Sequence, residues 1–266
     1  KSYVGFIATN VSPGRGSSNQ AYGADFLYRT DRFLSDQNFE FGGYLAQNRA
    51  EGVRHGTRAG RVLMNLPNDA YSVSLLYHAV GANYNPETGF VRRRDIRQHH
   101  AEFMLTPRPG IPGVKKLLFT PLSMDYYTDT GTRLVTRTTN FRPLGIEFNS
   151  GDAVEVNISG SYELVERPFE RFRGKMKVPA GVHTWWDYEF EVTTSENRPF
   201  NLGIHSHTGT FYNGDRDWVM TQLGMKTSKY YSLSADYTMQ RVTMGGNRFD
   251  IHDVGTRIGI NITPRL

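Results

Sequence analysis

His205 and His207 stand two apart, a spacing at which a strand would put both imidazoles on one face, and an imidazole pair is a candidate ligand set for a transition metal. No carboxylate lies near them along the chain in ligand spacing, and His99 and His100 lie far away. The pair therefore reads as two histidines on a polar face, with no metal expected. Ser206, between them, has the residue type of a hydrolase nucleophile with a base beside it in sequence. Neighbours on a strand point to opposite faces, so this tripeptide cannot form a nucleophile–base pair. No catalytic residue, cofactor or cofactor-binding residue is expected, and the chain reads as a protein without enzymatic activity.

Charge offers more. Arg92, Arg93, Arg94 and Arg97 crowd into six residues after the Gly89-Phe90 turn. Guanidinium groups recognise anions, so this run either lines an anion-attracting constriction, contacts lipopolysaccharide phosphates, or forms a solvated loop foot. Glu155, Glu163, Asp187, Glu189 and Glu191 alternate with apolar residues. They are expected on a polar, lumen-facing wall, opposing the basic one in a transverse field or pairing across a plugged interior.

The elements that carry these residues are strands. Tyr231, Leu233, Ala235, Tyr237 and Met239 alternate with Ser232, Ser234, Asp236, Thr238 and Gln240. The pattern recurs over Ala153 to Leu164, Trp186 to Val192, Tyr22 to Tyr28, Tyr71 to Tyr77 and Val254 to Ile262, giving two-faced strands of about ten residues, the length that crosses a bilayer at a tilt. Aromatic pairs near segment ends fit interfacial girdles. Turn signals at Asn65 to Asn68, Asp129 to Gly131, Asn149 to Asp152, Asn213 to Asp215 and Gly245 to Asn247 separate the segments into hairpins. Longer irregular connections are expected at Ser12 to Gln20, Gly81 to Arg94 and Arg167 to His183. Gly16, Gly23, Gly42, Gly43, Gly60 and Gly81 precede no helix, so they read as bends and bulges and not as a phosphate-binding loop.

Composition agrees. The 266 residues include 27 Gly, 15 Tyr, 16 Phe and no Cys. The mean hydropathy of −0.52 does not argue against a membrane, because alternating strands average out. The fold class expected is all-β: a transmembrane antiparallel up-and-down β-barrel of about fourteen strands in this chain, one domain over residues 1–266. The apolar members, especially Leu233, Tyr237, Ile158, Phe190 and Ile260, are expected to face lipid, with Glu155, Glu189 and Asp236 on the other side. A formal net charge of +5 suits anionic lipid headgroups, lipopolysaccharide phosphates or nucleic acid. With strands of membrane length, the partners expected are outer-membrane lipid and lipopolysaccharide, together with other envelope proteins, and not nucleic acid.

Asn19-Gln20-Ala21-Tyr22-Gly23-Ala24-Asp25-Phe26 and Tyr84-Asn85-Pro86-Glu87-Thr88-Gly89-Phe90-Val91-Arg92-Arg93 resemble the membrane half of the DUF5916 envelope family. In that family a carbohydrate-binding family 9-like sandwich precedes an outer-membrane barrel. The stretch from Leu164 through Arg167-Pro168-Phe169 to Gly181, and the turn Gly209 to Gly214, carry the same resemblance. It implies a fold and a bacterial outer-membrane location and little about activity. It also implies a soluble domain before Lys1, and the ending Thr263-Pro264-Arg265-Leu266 reads as a turn with further strands to follow. Two leading functions remain open, a passive pore and the membrane anchor of a larger assembly. The alternatives are a soluble glycan-binding all-β protein and, last, an outer-membrane hydrolase built on Ser206.

Overall fold

The computed structural model describes residues 1–14, 17–172, 174–226, 228 and 230–260, so the expectations for Gly16, Ile262 and the turn at residues 263–266 lie outside it. Among the described residues there is no helix. Seventeen strands carry the chain: β1 (Tyr3–Gly14), β2 (Ser17–Phe33), β3 (Gln37–Ala50), β4 (Arg58–Pro67), β5 (Tyr71–Val80), β6 (Ile96–Leu105), β7 (Val114–Leu117), β8 (Phe119–Thr128), β9 (Leu134–Phe148), β10 (Ala153–Val165), β11 (Phe169–Arg171), β12 (Met176–Val178), β13 (Gly181–Thr193), β14 (Phe200–Phe211), β15 (Gly214–Met225), β16 (Tyr231–Met244) and β17 (Asn247–Ile260). The hydrogen-bonded order is β1-β2-β3-β4-β5-β6-β8-β9-β10-β13-β14-β15-β16-β17, with β7 beside β9 and β11-β12 as a separate ribbon. Fourteen strands thus follow one another in chain order, as the alternation predicts, because antiparallel neighbours need no crossover, whether a short turn or a longer loop such as Gly81 to Asp95 joins them.

The chain divides into two compact units, one of Lys1–Met104 and Leu122–Thr138, the other of Leu105–Pro121 and Thr139–Leu266. In the first, β1 to β5 form antiparallel ladders. The loop from Gly81 to Asp95 packs onto them: Tyr84 and Val91 rest on buried Ala59, Val80 and Ile96. In the second unit, β13 to β17 pair in sequence. A small core of Val165, Met176, Val178, Val242, Met244 and Phe249 lies under the β11-β12 ribbon.

Turn chemistry accounts for several connections. Met244 pairs with Asn247 across Gly245 and Gly246, whose φ values of 58° and 79° are left-handed, as a two-residue type I′ hairpin demands. At the Asn149 to Asp152 turn, Asp152 accepts hydrogen bonds from the Ser195 main-chain N–H at 2.9 Å and from Ser150 Oγ at 2.8 Å. These bonds, joined by the Arg198 guanidinium, hold its carboxyl below the ordinary carboxylate range.

Four expectations are corrected. The long connection expected over Ser12 to Gln20 is largely strand, since β1 runs to Gly14 and β2 starts at Ser17. The stretch from Arg167 to His183 contains β11, β12 and the start of β13, because Met176 and Val178 are buried and pull it into register. The turn signal at Asn65 to Asn68 falls early: β4 continues to Pro67, whose missing N–H is tolerated at a strand end, and the turn comes after it. Gly42, Gly43 and Gly60 are not bulges, since the β3-β4 register runs through them without a shift. Gly43 serves close approach instead, for a Cβ there would sit 2.3 Å from the Arg61 carbonyl oxygen.

Candidate functional site

Strand pleating sorts the chemistry of the second unit. On β13, Val182, Trp186, Tyr188 and Phe190 are exposed, Trp186 by 57%, while His183 and Asp187 between them are buried, Asp187 to 6%. Leu233, Tyr237 and Ile260 are likewise exposed, whereas Ile158 is half-buried, as are Glu155, Glu189 and Asp236. This inverts the polarity of a water-soluble sheet, in which the apolar side chains are sheltered.

The register of β10 with β13 sets Glu155 opposite Glu191, Asn157 opposite Glu189, Ser159 opposite Asp187 and Glu163 opposite His183. All five carboxylates singled out in the sequence therefore share one face. Each meets a partner from a nearby strand or turn. Arg142 Nη2 is 2.8 Å from Glu155, and its Nε donates to Asn157 Oδ1 at 2.8 Å. Arg216 reaches Asp187 at 3.2 Å and lies over the Phe211 ring, 4.3 Å from its centroid. Tyr212 OH donates to Glu163 at 2.6 Å. Burial and that carboxylate raise the Tyr212 phenol well above its ordinary range.

The histidine pair is where sequence reasoning fell short. Pairing of β13 with β14 places His205 opposite Glu191 and His207 opposite Glu189. The imidazoles lie 3.4 Å and 3.2 Å from those carboxylates. Carboxylates absent from the chain near His205 arrive across the ladder, and the signal was the matching two-residue spacing of Glu189/Glu191 and His205/His207. Ser206 Oγ donates to the Phe190 main-chain oxygen at 3.3 Å, on the opposite face from both histidines. His99 and His100 are separated in the same way: His99 packs at a tilt against Tyr77, at 5.0 Å between centroids, while His100 lies 3.2 Å from Asp125.

In the first unit the four arginines part company. Arg93 donates to Thr136 Oγ1 at 3.3 Å and covers the Tyr127 ring at 5.3 Å. Arg94 bonds the Asn85 side-chain oxygen. The Asn85 main chain is itself held by Asn19 at 2.9 Å and Asn48 at 3.0 Å, both buried. Arg92 joins Arg93, Asp25, Tyr44, His78 and Phe90 around a cavity of about 890 Å³. Arg97, on β6, alternates with cavity-lining Ile96 and Gln98 and so shares the face of His99. Burial raises the Tyr84 phenol in this loop above its ordinary value.

No protein-family model matches the sequence, and no curated protein is similar to it. Among solved structures, OccK10 (OpdN) of Pseudomonas aeruginosa, an outer-membrane porin barrel, matches over 98% of this chain and 96% of its own, with a TM-score of 0.50 and 9% sequence identity. At that identity the likeness shows the fold, which is the all-β antiparallel barrel of the outer-membrane type.

Proposed function

We propose that the protein is a pore of the bacterial outer membrane that passes small polar solutes and has no enzymatic activity. The observation that carries this reading is the alternation on β13, where large apolar side chains are exposed while charges are sheltered and paired. Lipid accommodates only apolar side chains and leaves backbone groups to strand pairing, whereas a water-filled lumen takes the charges. The porin likeness supports the same reading at the level of fold. Asp25, His78, Arg92 and Arg93 around the first unit's cavity would sort passing solutes by charge, with guanidinium groups favouring anions. Arg97, beside exposed Tyr77 and His99 on the apolar face, is the candidate contact for lipopolysaccharide phosphates. The test is single-channel recording in planar bilayers: steady conductance is expected, and Arg93→Gln should shift ion selectivity towards cations. Absence of conductance from correctly inserted protein would overturn the reading.

A further inference from the structure

Two rows of side chains cross the polar face of the second unit. One runs Arg142, Glu155, Glu191, His205; the other runs Asn157, Glu189, His207, Trp218. Where they adjoin, ligand atoms of Glu189, Glu191 and His205 all lie within 4.8 Å of one another. His207 is hydrogen-bonding neighbour to Glu189, at 3.2 Å. We propose that Glu189, Glu191 and His205, flanked by His207, form a binding site for a divalent transition ion of the zinc class.

Geometry, charge and access argue for it independently. Ligands at about 2.1 Å from a tetrahedral ion stand roughly 3.4 Å apart, so small side-chain rotations would bring these atoms to coordinating positions. Glu155, Glu189 and Glu191 contribute three negative charges and Arg142, bonded to Glu155, returns one. With neutral imidazoles this leaves two negative charges in excess, the charge of one divalent cation. The side chains retain 22% to 28% exposure, which admits an ion from water. His207 and Trp218 also border, with Arg216 and Gln240, a cavity of about 230 Å³ beside the cluster. Supporting contacts are in place: Arg142 donates to Asn157, which hydrogen-bonds Glu189, and the Trp218 ring meets His207 edge-on at 4.9 Å. The imidazole selects against calcium and magnesium, which prefer all-oxygen shells.

Titration of the purified full chain with Zn²⁺ by calorimetry tests this, with strand content followed by circular dichroism. One ion per chain is expected, unaffected by excess Mg²⁺. Affinity should fall at least tenfold in Glu191→Gln and in His205→Gln and remain unchanged in His100→Gln, which removes the imidazole beside Asp125. If a ligand variant fails to fold, visible absorption of Co²⁺ bound to the unaltered protein, displaced by Zn²⁺, reads the same site through its nitrogen and oxygen ligands. No binding of Zn²⁺, binding indifferent to both ligand variants, or binding lost in His100→Gln would each overturn the proposal. None of these outcomes depends on whether the protein conducts.

Discussion

Arg in place of Val254 separates a lipid-facing surface from a watery one. Val254 is the eighth of fourteen residues of β17, opposite Tyr237, and 70% of its surface is exposed. So little is buried that the packing lost on substitution, at about 25 cal/mol per Å² over some tens of Å², is roughly 1 kcal/mol at most, and the methylenes of the new side chain recover part of it. In water the variant should therefore fold within about 0.5 to 1 kcal/mol of the parent. In a bilayer a guanidinium near the midplane costs about 2–4 kcal/mol. Reversible denaturant titration of the chain folded into lipid vesicles measures the difference, with Asp253→Asn on the opposite face as a nearly neutral control. A Val254→Arg loss under about 1 kcal/mol, or equal losses at both positions, would refute the assignment of the apolar face to lipid.

Other expectations are equally direct. Val242 is fully buried beneath the β11-β12 ribbon, so Val242→Ala should cost about 2 kcal/mol in the same titration, and a loss below about 0.5 kcal/mol would mean the core is not packed as described. The Asp152 carboxyl is held below its ordinary value of 3.8, so its stabilising contribution is present above that pH and is lost as pH falls through the lower folded value. The melting temperature should drop on acidification more steeply for the parent than for Asp152→Asn. The Tyr212 phenol is raised above its ordinary value of 10.0, so its contribution is present below that pH and is lost as pH rises towards the folded value. Glu163→Gln should bring its ionisation to lower pH, read from tyrosinate absorbance.

The strands were legible because a period of two survives in any single segment, as at Tyr231 to Gln240, and because pairs such as Gly245-Gly246 announce a hairpin by their backbone freedom. Partners were not legible. Whether Glu191 faces His205 depends on the register between β13 and β14, which turns and packing set jointly and which no single strand encodes. The arginine run shows the reverse error: four like residues in six positions looked like one patch. The pleat of β6 sends Arg97 to the face of His99, while the loop folds Arg93 against Tyr127. The β11-β12 ribbon was missed because strands of three residues are too short to display a period.

Pairing between neighbours in sequence also bears on how fast the second unit assembles. All-β proteins usually fold slowly because distant segments must meet before any contact repays the lost chain entropy. Here β14 closes on β15 across Tyr212 and Asn213, and β16 closes on β17 across Gly245 and Gly246, so each ladder can grow from a loop of two residues. The exception is the span between β10 and β13, residues 166–180, where the β11-β12 ribbon interrupts the series. Its ends meet only after the longest excursion among the strand connections of this unit, so the largest loop-closure entropy falls there, on a segment that contributes no strand to the main sheet.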